Sequence, residues 1–245
     1  MATVLLVRHG RTAANTAGIL AGRSPGVELD DVGRSQAATL GERMTAVPLA
    51  TLVSSPLRRC RQTLQALVAA RADPVPTAVD AGLIECGYGD WTGKSLKELS
   101  KEKLWKTVQQ QPSAVRFPGG EAMTEMAARA VGAVRSWDDK VSAEHGEDAV
   151  WVAVSHGDVI KAILADALGM HLDAFQRINV DPGSLSVVRY TPHRAFVLTM
   201  NSNAGSLAHL AAKPRKPAPK RSRRTAASSD DAPVGGGLGA AEVTP

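Results

Sequence analysis

Thr3-Val4-Leu5-Leu6-Val7-Arg8-His9-Gly10 and Val150-Trp151-Val152-Ala153-Val154-Ser155-His156-Gly157 are two runs of strand-forming residues, each leading directly into His-Gly. In an open α/β sheet, reactive groups collect just past the carboxyl ends of the strands. Two histidines so placed belong to one site if the strands lie side by side and point the same way. Arg8 adds a fixed cation beside His9. An imidazole next to a guanidinium at a strand end points to chemistry on an anion, most simply a phosphate.

Working outward, 50–53, 185–188 and 195–200 read as further short strands rich in β-branched residues. Helical spacing marks Gly33 to Met44 through Ala37, Leu40 and Met44, and the stretch after Ser55-Pro56 through Cys60, Leu64 and Leu67. Ser55 is read as N-cap and Pro56 as the first helical residue. Met123, Ala127, Ala130, Val134 and Trp137 form another apolar stripe, and Val159 to Leu168 another, stopped by Gly169. Strands alternating with helices predict an α/β fold: a three-layer α/β/α sandwich around a mostly parallel central sheet. The stretch 82–120 is less regular and reads as an inserted cap or long loop of the kind that carries substrate contacts.

The chain has 245 residues, 44% hydrophobic and 22% charged, an ordinary globular composition. The domain is placed at 1–203. From Lys213 onward, seven basic and three acidic residues hold +4 of the net +5, so the body is nearly neutral. The Pro-, Ala-, Lys- and Arg-rich 204–245 is expected to be a disordered basic tail without effect on turnover. Within it, Gly235-Gly236-Gly237-Leu238-Gly239 is no phosphate loop, for no strand precedes it and no Lys-Ser/Thr follows. The basic residues offer a contact for nucleic acid or an acidic partner, without aromatic residues for stacking. Cys60 and Cys86 are too few for a disulfide framework and read as buried fillers in a reducing compartment. The longest apolar run, Ala149 to Val154, falls far short of the roughly 20 residues that span a bilayer. With no signal-peptide pattern near Met1, the expectation is a cytoplasmic protein with no membrane contact.

Four segments carry chemistry in order: Arg8 to Asn15 (R-H-G-x-T-x-x-N), Ser54 to Thr63 (S-S-P-L-x-R-C-x-Q-T), Leu83 to Gly93 (L-x-E-x-x-x-G-x-W-x-G) and Ser155-His156-Gly157. Together they resemble the histidine phosphatase superfamily, which includes phosphoglycerate mutases and many phosphatases. The resemblance implies that His9 is the nucleophile, that Arg8, Arg59 and His156 line the phosphate pocket with Asn15 as a further donor, and that Glu85 is the proton donor. The implied enzyme is a phosphoric monoester hydrolase of the histidine acid phosphatase type, acting on a small phosphorylated substrate.

Independent of the resemblance, phosphoryl transfer asks a protein for positioning and charge stabilisation. Two guanidiniums and a second imidazole can supply both, so no metal and no cofactor is called for. Surrounding cations keep His9 neutral and nucleophilic, while Glu85 must be buried enough to hold a proton. Asp80 and Asp90 rival Glu85 as the acid. Arg58 and Arg61 read as solvated helix residues. Asp158 is read either as a helix cap or as a substrate contact, and Tyr88 and Trp91 as pocket walls or core.

A phosphomutase is the alternative within catalysis. Mutases of this group carry a longer basic insertion after the acid; here Lys94, Lys97, Lys101, Lys103, Lys106 and Arg116 give way to Phe117-Pro118-Gly119-Gly120-Glu121, as in the phosphatase branch. A third reading, from another class, is a catalytically weak binding protein that uses the tail. The oligomeric state, monomer or homodimer, is not readable.

Overall fold

A computed structural model of the chain describes residues 1–203 and Gly235; the expectations for the rest of the tail lie outside the described residues. Six strands form one sheet: β1 (Thr3–Arg8), β2 (Leu52–Ser54), β3 (Thr77–Val79), β4 (Val150–Ser155), β5 (Leu185–Tyr190) and β6 (Ala195–Ser202), in the order β3-β2-β4-β1-β5-β6. The pairings β3-β2, β2-β4 and β4-β1 are parallel; β1-β5 and β5-β6 are antiparallel. The sheet is therefore mixed, with a parallel half on which the site is built. β3, absent from the sequence reading, has only three residues and is preceded by prolines at 74 and 76.

Alternation along the central strands sorts the core into two faces. Leu5 and Val7 of β1 and Val152 and Val154 of β4 pack with Leu40, Cys60 and Leu67. These come from α1 (Asp31–Arg43) and α2 (Arg58–Ala69). Val4, Leu6, Trp151 and Ala153 face the other way, onto Met126, Ala130 and Val134 of α3 (Met123–His145) and Ile160 and Ile163 of α4 (Gly157–Ala167). The stretch 82–120 runs through short helical pieces, among them Leu96–Leu99 and Lys103–Gln110.

One expected cap moves. α2 begins at Arg58 with Leu57 as N-cap, without a side-chain cap bond. The Ser55 hydroxyl instead meets His156 Nε2 at 2.8 Å, so this serine orients a ring rather than starting a helix.

Asp138, fully buried on α3, fastens the second layer to the sheet. Its carboxylate accepts from the Ala2 backbone N–H at 3.0 Å and from the Trp151 indole at 3.3 Å. Asp138→Ala leaves both donors buried without an acceptor, each worth about 1–3 kcal/mol. A lower urea midpoint with an unchanged m-value is the expected result; an unchanged midpoint would show that water replaces the carboxylate at no cost.

Candidate active site

The parallel register pairs Arg8 with Ser155, so the next residues, His9 and His156, leave adjacent strands side by side. Their rings meet edge to face with centroids 5.3 Å apart. The His9 backbone N–H bonds Ser155 O at 3.0 Å, and the Gly183 N–H bonds back to the loop through Arg8 O and His9 O. Gly10 is needed for packing: a Cβ there would lie 2.3 Å from the Gly33 carbonyl oxygen, at the start of α1. The Gly10 N–H is taken by Thr63 Oγ1 at 3.1 Å, and that hydroxyl donates to Arg59 O, one turn back on α2. The turn carrying His9 and the helix carrying Arg59 are thus tied together.

The hydrogen bonds assign the tautomers. His9 Nδ1 lies 2.7 Å from Gly10 O, which can only accept, so Nδ1 bears the hydrogen. The Nε2 lone pair faces the cleft, where Arg59 Nε donates to it at 3.2 Å. Arg59 Nη2 donates to Gly22 O at 2.8 Å and to His156 Nδ1 at 3.2 Å, which leaves His156 Nε2–H for Ser55 Oγ. Arg59 Nη1 is buried with no hydrogen-bond partner among the described residues. An orphaned guanidinium N–H beside a nucleophilic nitrogen is a ready anion site. Arg8, also buried, is held by Val180 O at 2.7 Å and reaches Gly235 O at 3.1 Å.

Both imidazoles are pushed well below the ordinary histidine range. For His9 the causes are burial first, then the charges of Arg59 and Arg8; for His156 they are burial, then Arg59 and His9. Both rings are neutral. Glu85, 4% exposed, is pushed up to about 7, by burial and then by the charge of Asp158. Its Oε1 accepts from Cys86 N at 2.9 Å, and its Oε2 lies 3.9 Å from His156 Nδ1. Its carbonyl is clamped by Arg23 Nε at 2.8 Å and Arg129 Nη2 at 3.1 Å.

Arg8, His9, Arg59, Glu85 and His156 thus converge. Arg8, His9, Arg59 and Glu85 line one cleft together with Asn15, Leu20 and Tyr88. Asn15 stands at the rim, but its side-chain carbonyl closes the first turn of a short helix, accepting from Thr12 N at 3.0 Å and Thr12 Oγ1 at 2.9 Å. It shapes the loop as well as lining the cleft.

The rivals to Glu85 drop out on geometry. Asp80 spends its oxygens on Gly82 N and the Trp137 indole, and Asp90 is exposed. Arg58 pairs with Glu28 at the surface, and Arg61 is exposed. Trp91 packs in the core against Phe117, whereas Tyr88 is a cleft wall. Cys60 and Cys86 are buried free thiols; burial pushes Cys60 up to about 12 and raises Cys86 as well. Asp158 is wholly buried, with Oδ2 accepting from the Tyr88 hydroxyl at 2.7 Å and Lys161 Nζ 3.8 Å from Oδ1.

Sequence reading missed Ser55, Thr63, Gly22, Arg23 and Arg129 as supports. The spacing Arg59 to Thr63, one helical turn, was the one local signal for any of them.

The family profile for the histidine phosphatase superfamily (branch 1) matches residues 4–203. The chain belongs to this superfamily. It is 28% identical to phosphoserine phosphatase 1 of Hydrogenobacter thermophilus over 203 residues, 82% of this chain and 92% of that protein. It is 29% identical to 2,3-bisphosphoglycerate-dependent phosphoglycerate mutase 2 of Gloeobacter violaceus over 184 residues, 74% of this chain and 82% of that one. Of the mycobacterial relatives that it matches at 31% identity, the chain spans about half the length, 54%. Among solved structures, Bacillus stearothermophilus YhfR superposes with a TM-score of 0.74 at 25% identity, covering 84% of this chain and 98% of that one. The resemblance carried by the four motifs is thereby shown for the family and for the α/β fold. Among the described residues of this superfamily member, no helix is long and apolar enough to cross a membrane.

Proposed function

We propose that the chain is a phosphomonoesterase that hydrolyses small phosphorylated metabolites through a phosphohistidine. The observation that carries this is the His9 Nε2 lone pair, aimed into a cleft beside the orphaned Nη1 of Arg59. Arg8 and Arg59 hold the phosphoryl oxygens, and His156, wholly buried behind them, positions the Arg59 guanidinium by accepting from Nη2 at its Nδ1. Arg59 Nε releases His9 Nε2, which attacks phosphorus. The bond from phosphorus to the leaving oxygen breaks, and protonated Glu85 gives that oxygen its proton. In the second step the Glu85 carboxylate takes a proton from water, the water oxygen attacks phosphorus, and the N–P bond breaks. Orthophosphate leaves and His9 is neutral again.

The cleft wall favours hydrolysis over a mutase cycle. Among the described residues its lining cations are Arg8 and Arg59, and the rest of its wall includes Gly18, Ile19, Leu20, Ala21 and Leu96. The lysines of 94–106 are exposed, and Arg116 pairs with Glu125. A second phosphate, as on a bisphosphate primer, finds no further cation in that wall among the described residues. The phosphoserine phosphatase among the relatives supports a substrate of similar size. The narrower acid-phosphatase type is supported by Glu85, which holds its proton below about pH 7. The two free thiols support a cytoplasmic setting.

The test is phosphate release from a panel of small phosphomonoesters with EDTA present. Release that resists EDTA is expected. Release that EDTA abolishes overturns the metal-free mechanism, and transfer from a bisphosphate primer without release establishes the mutase.

A further inference from the structure

Gly235, 32 residues beyond the end of the domain, sits in the cleft rather than away from it. Its carbonyl accepts from Arg8 Nη2 at 3.1 Å, and its N–H donates to Asp158 Oδ2 at 3.1 Å. One glycine residue therefore bridges a cation that the proposed chemistry needs and a buried carboxylate that it does not use. Its φ of +81° is one that glycine adopts readily and a β-branched residue does not. A Cβ would also lie 3.1 Å from Leu20 Cδ1, on the cleft wall.

We propose that Arg8 and Asp158 form a subsite for a paired acceptor and donor, and that Gly235 of this chain fills it, with its carbonyl and N–H, as an intramolecular competitor of the substrate. The inference rests on the phosphatase reading of the same cleft. The Gly235 carbonyl is an uncharged acceptor on a guanidinium N–H that a phosphoryl oxygen must take. Phosphate makes the stronger, charge-assisted bond, so substrate displaces the peptide at saturation. A tethered competitor acts at an effective concentration on the order of millimolar, which raises apparent KM without changing kcat. The subsite also states what a good leaving group offers in place of the peptide: an N–H or O–H for Asp158. The proposal runs counter to the expectation that the tail has no effect on turnover, and the experiment below decides between them.

The experiment uses the full-length chain carrying Gly235→Val, which the backbone angle and the Leu20 contact exclude from the cleft. KM for p-nitrophenyl phosphate is expected to fall at least about threefold, by the fraction of molecules freed, with kcat unchanged. Orthophosphate affinity, read by calorimetry, rises by the same factor. A chain ending at Asn203 reproduces both changes, and a synthetic peptide of residues 230–242 added to it competes with p-nitrophenyl phosphate. Unchanged KM and unchanged orthophosphate affinity in both variants would overturn the proposal. If no phosphomonoester is turned over by any form, the phosphatase reading fails, and the orthophosphate titration still decides whether Gly235 competes for the cleft.

Discussion

His9→Ala leaves less than about a hundredth of wild-type phosphate release, because removing a covalent nucleophile removes the step that divides hydrolysis in two. The fold survives the change. His9 is buried, but its backbone N–H, bonded to Ser155 O, and the strand behind it do not depend on the ring. The far-ultraviolet spectrum and the urea midpoint therefore stay near wild type while turnover is lost. Labelled substrate, quenched in alkali, should leave phosphate on the wild-type protein in the acid-labile manner of a phosphoramidate, and none on the variant. Residual activity above about a hundredth, or a label that persists in the variant, would move the nucleophile elsewhere.

Glu85→Gln comes second in size and is diagnostic through its dependence on the leaving group. A positioned general acid contributes about 10²–10⁴ in rate, so alkyl phosphomonoesters lose that much. p-Nitrophenolate leaves without help, so p-nitrophenyl phosphate loses at most about tenfold in the first step. Equal losses on both substrates would show that the carboxyl positions rather than protonates. The pH profile supplies a second reading. With Glu85 at about 7, wild-type kcat/KM for alkyl phosphates falls as pH rises through that value, and the variant lacks this descent.

Stability follows with its own sign. The folded state holds the Glu85 proton more tightly than the unfolded chain, whose carboxyl has the ordinary 4.5. Folding is therefore favoured at low pH and loses that contribution between pH 4.5 and about 7. Glu85→Gln removes the burial penalty of the charge, so its Tm advantage is present at pH 8 and vanishes toward pH 4.5. The neutral histidines work the other way: the unfolded chain binds protons below 6.5 that the folded one refuses, so their contribution is lost as pH falls below that value.

The parallel half of the sheet was legible because β1 and β4 are long, apolar and end in a distinctive dipeptide, and their shared register places two histidines together. Arg59 and Glu85 were legible through the motifs around them. β3 was not: three residues between prolines and an acid leave no periodicity to read. Ser55 was misread because Ser-Pro carries the local signature of a helix start, while the contact that claims its hydroxyl lies 101 residues away. Asn15 suits a turn as well as a ligand, and in the structure it closes the turn while also lining the cleft. Gly235 was invisible as a cleft residue because nothing local in a glycine run says where in space it goes.

Glu85 stands apart from the other four residues in its origin. They hang from strand ends or the first turn of a helix, held by ladder bonds. It sits at the start of an irregular excursion, its carbonyl gripped by two arginines whose side chains also bind Glu121. The molecule thus separates an anion cradle welded to the sheet from an acid-bearing arm, packed into the core through Leu83, Leu99 and Phe117, that also supplies Tyr88 and Leu96 to the wall. Changing the arm's cleft-facing Tyr88 and Leu96, with its other core residues, Glu85 and the arginine grip retained, would alter substrate preference while leaving the cradle in place.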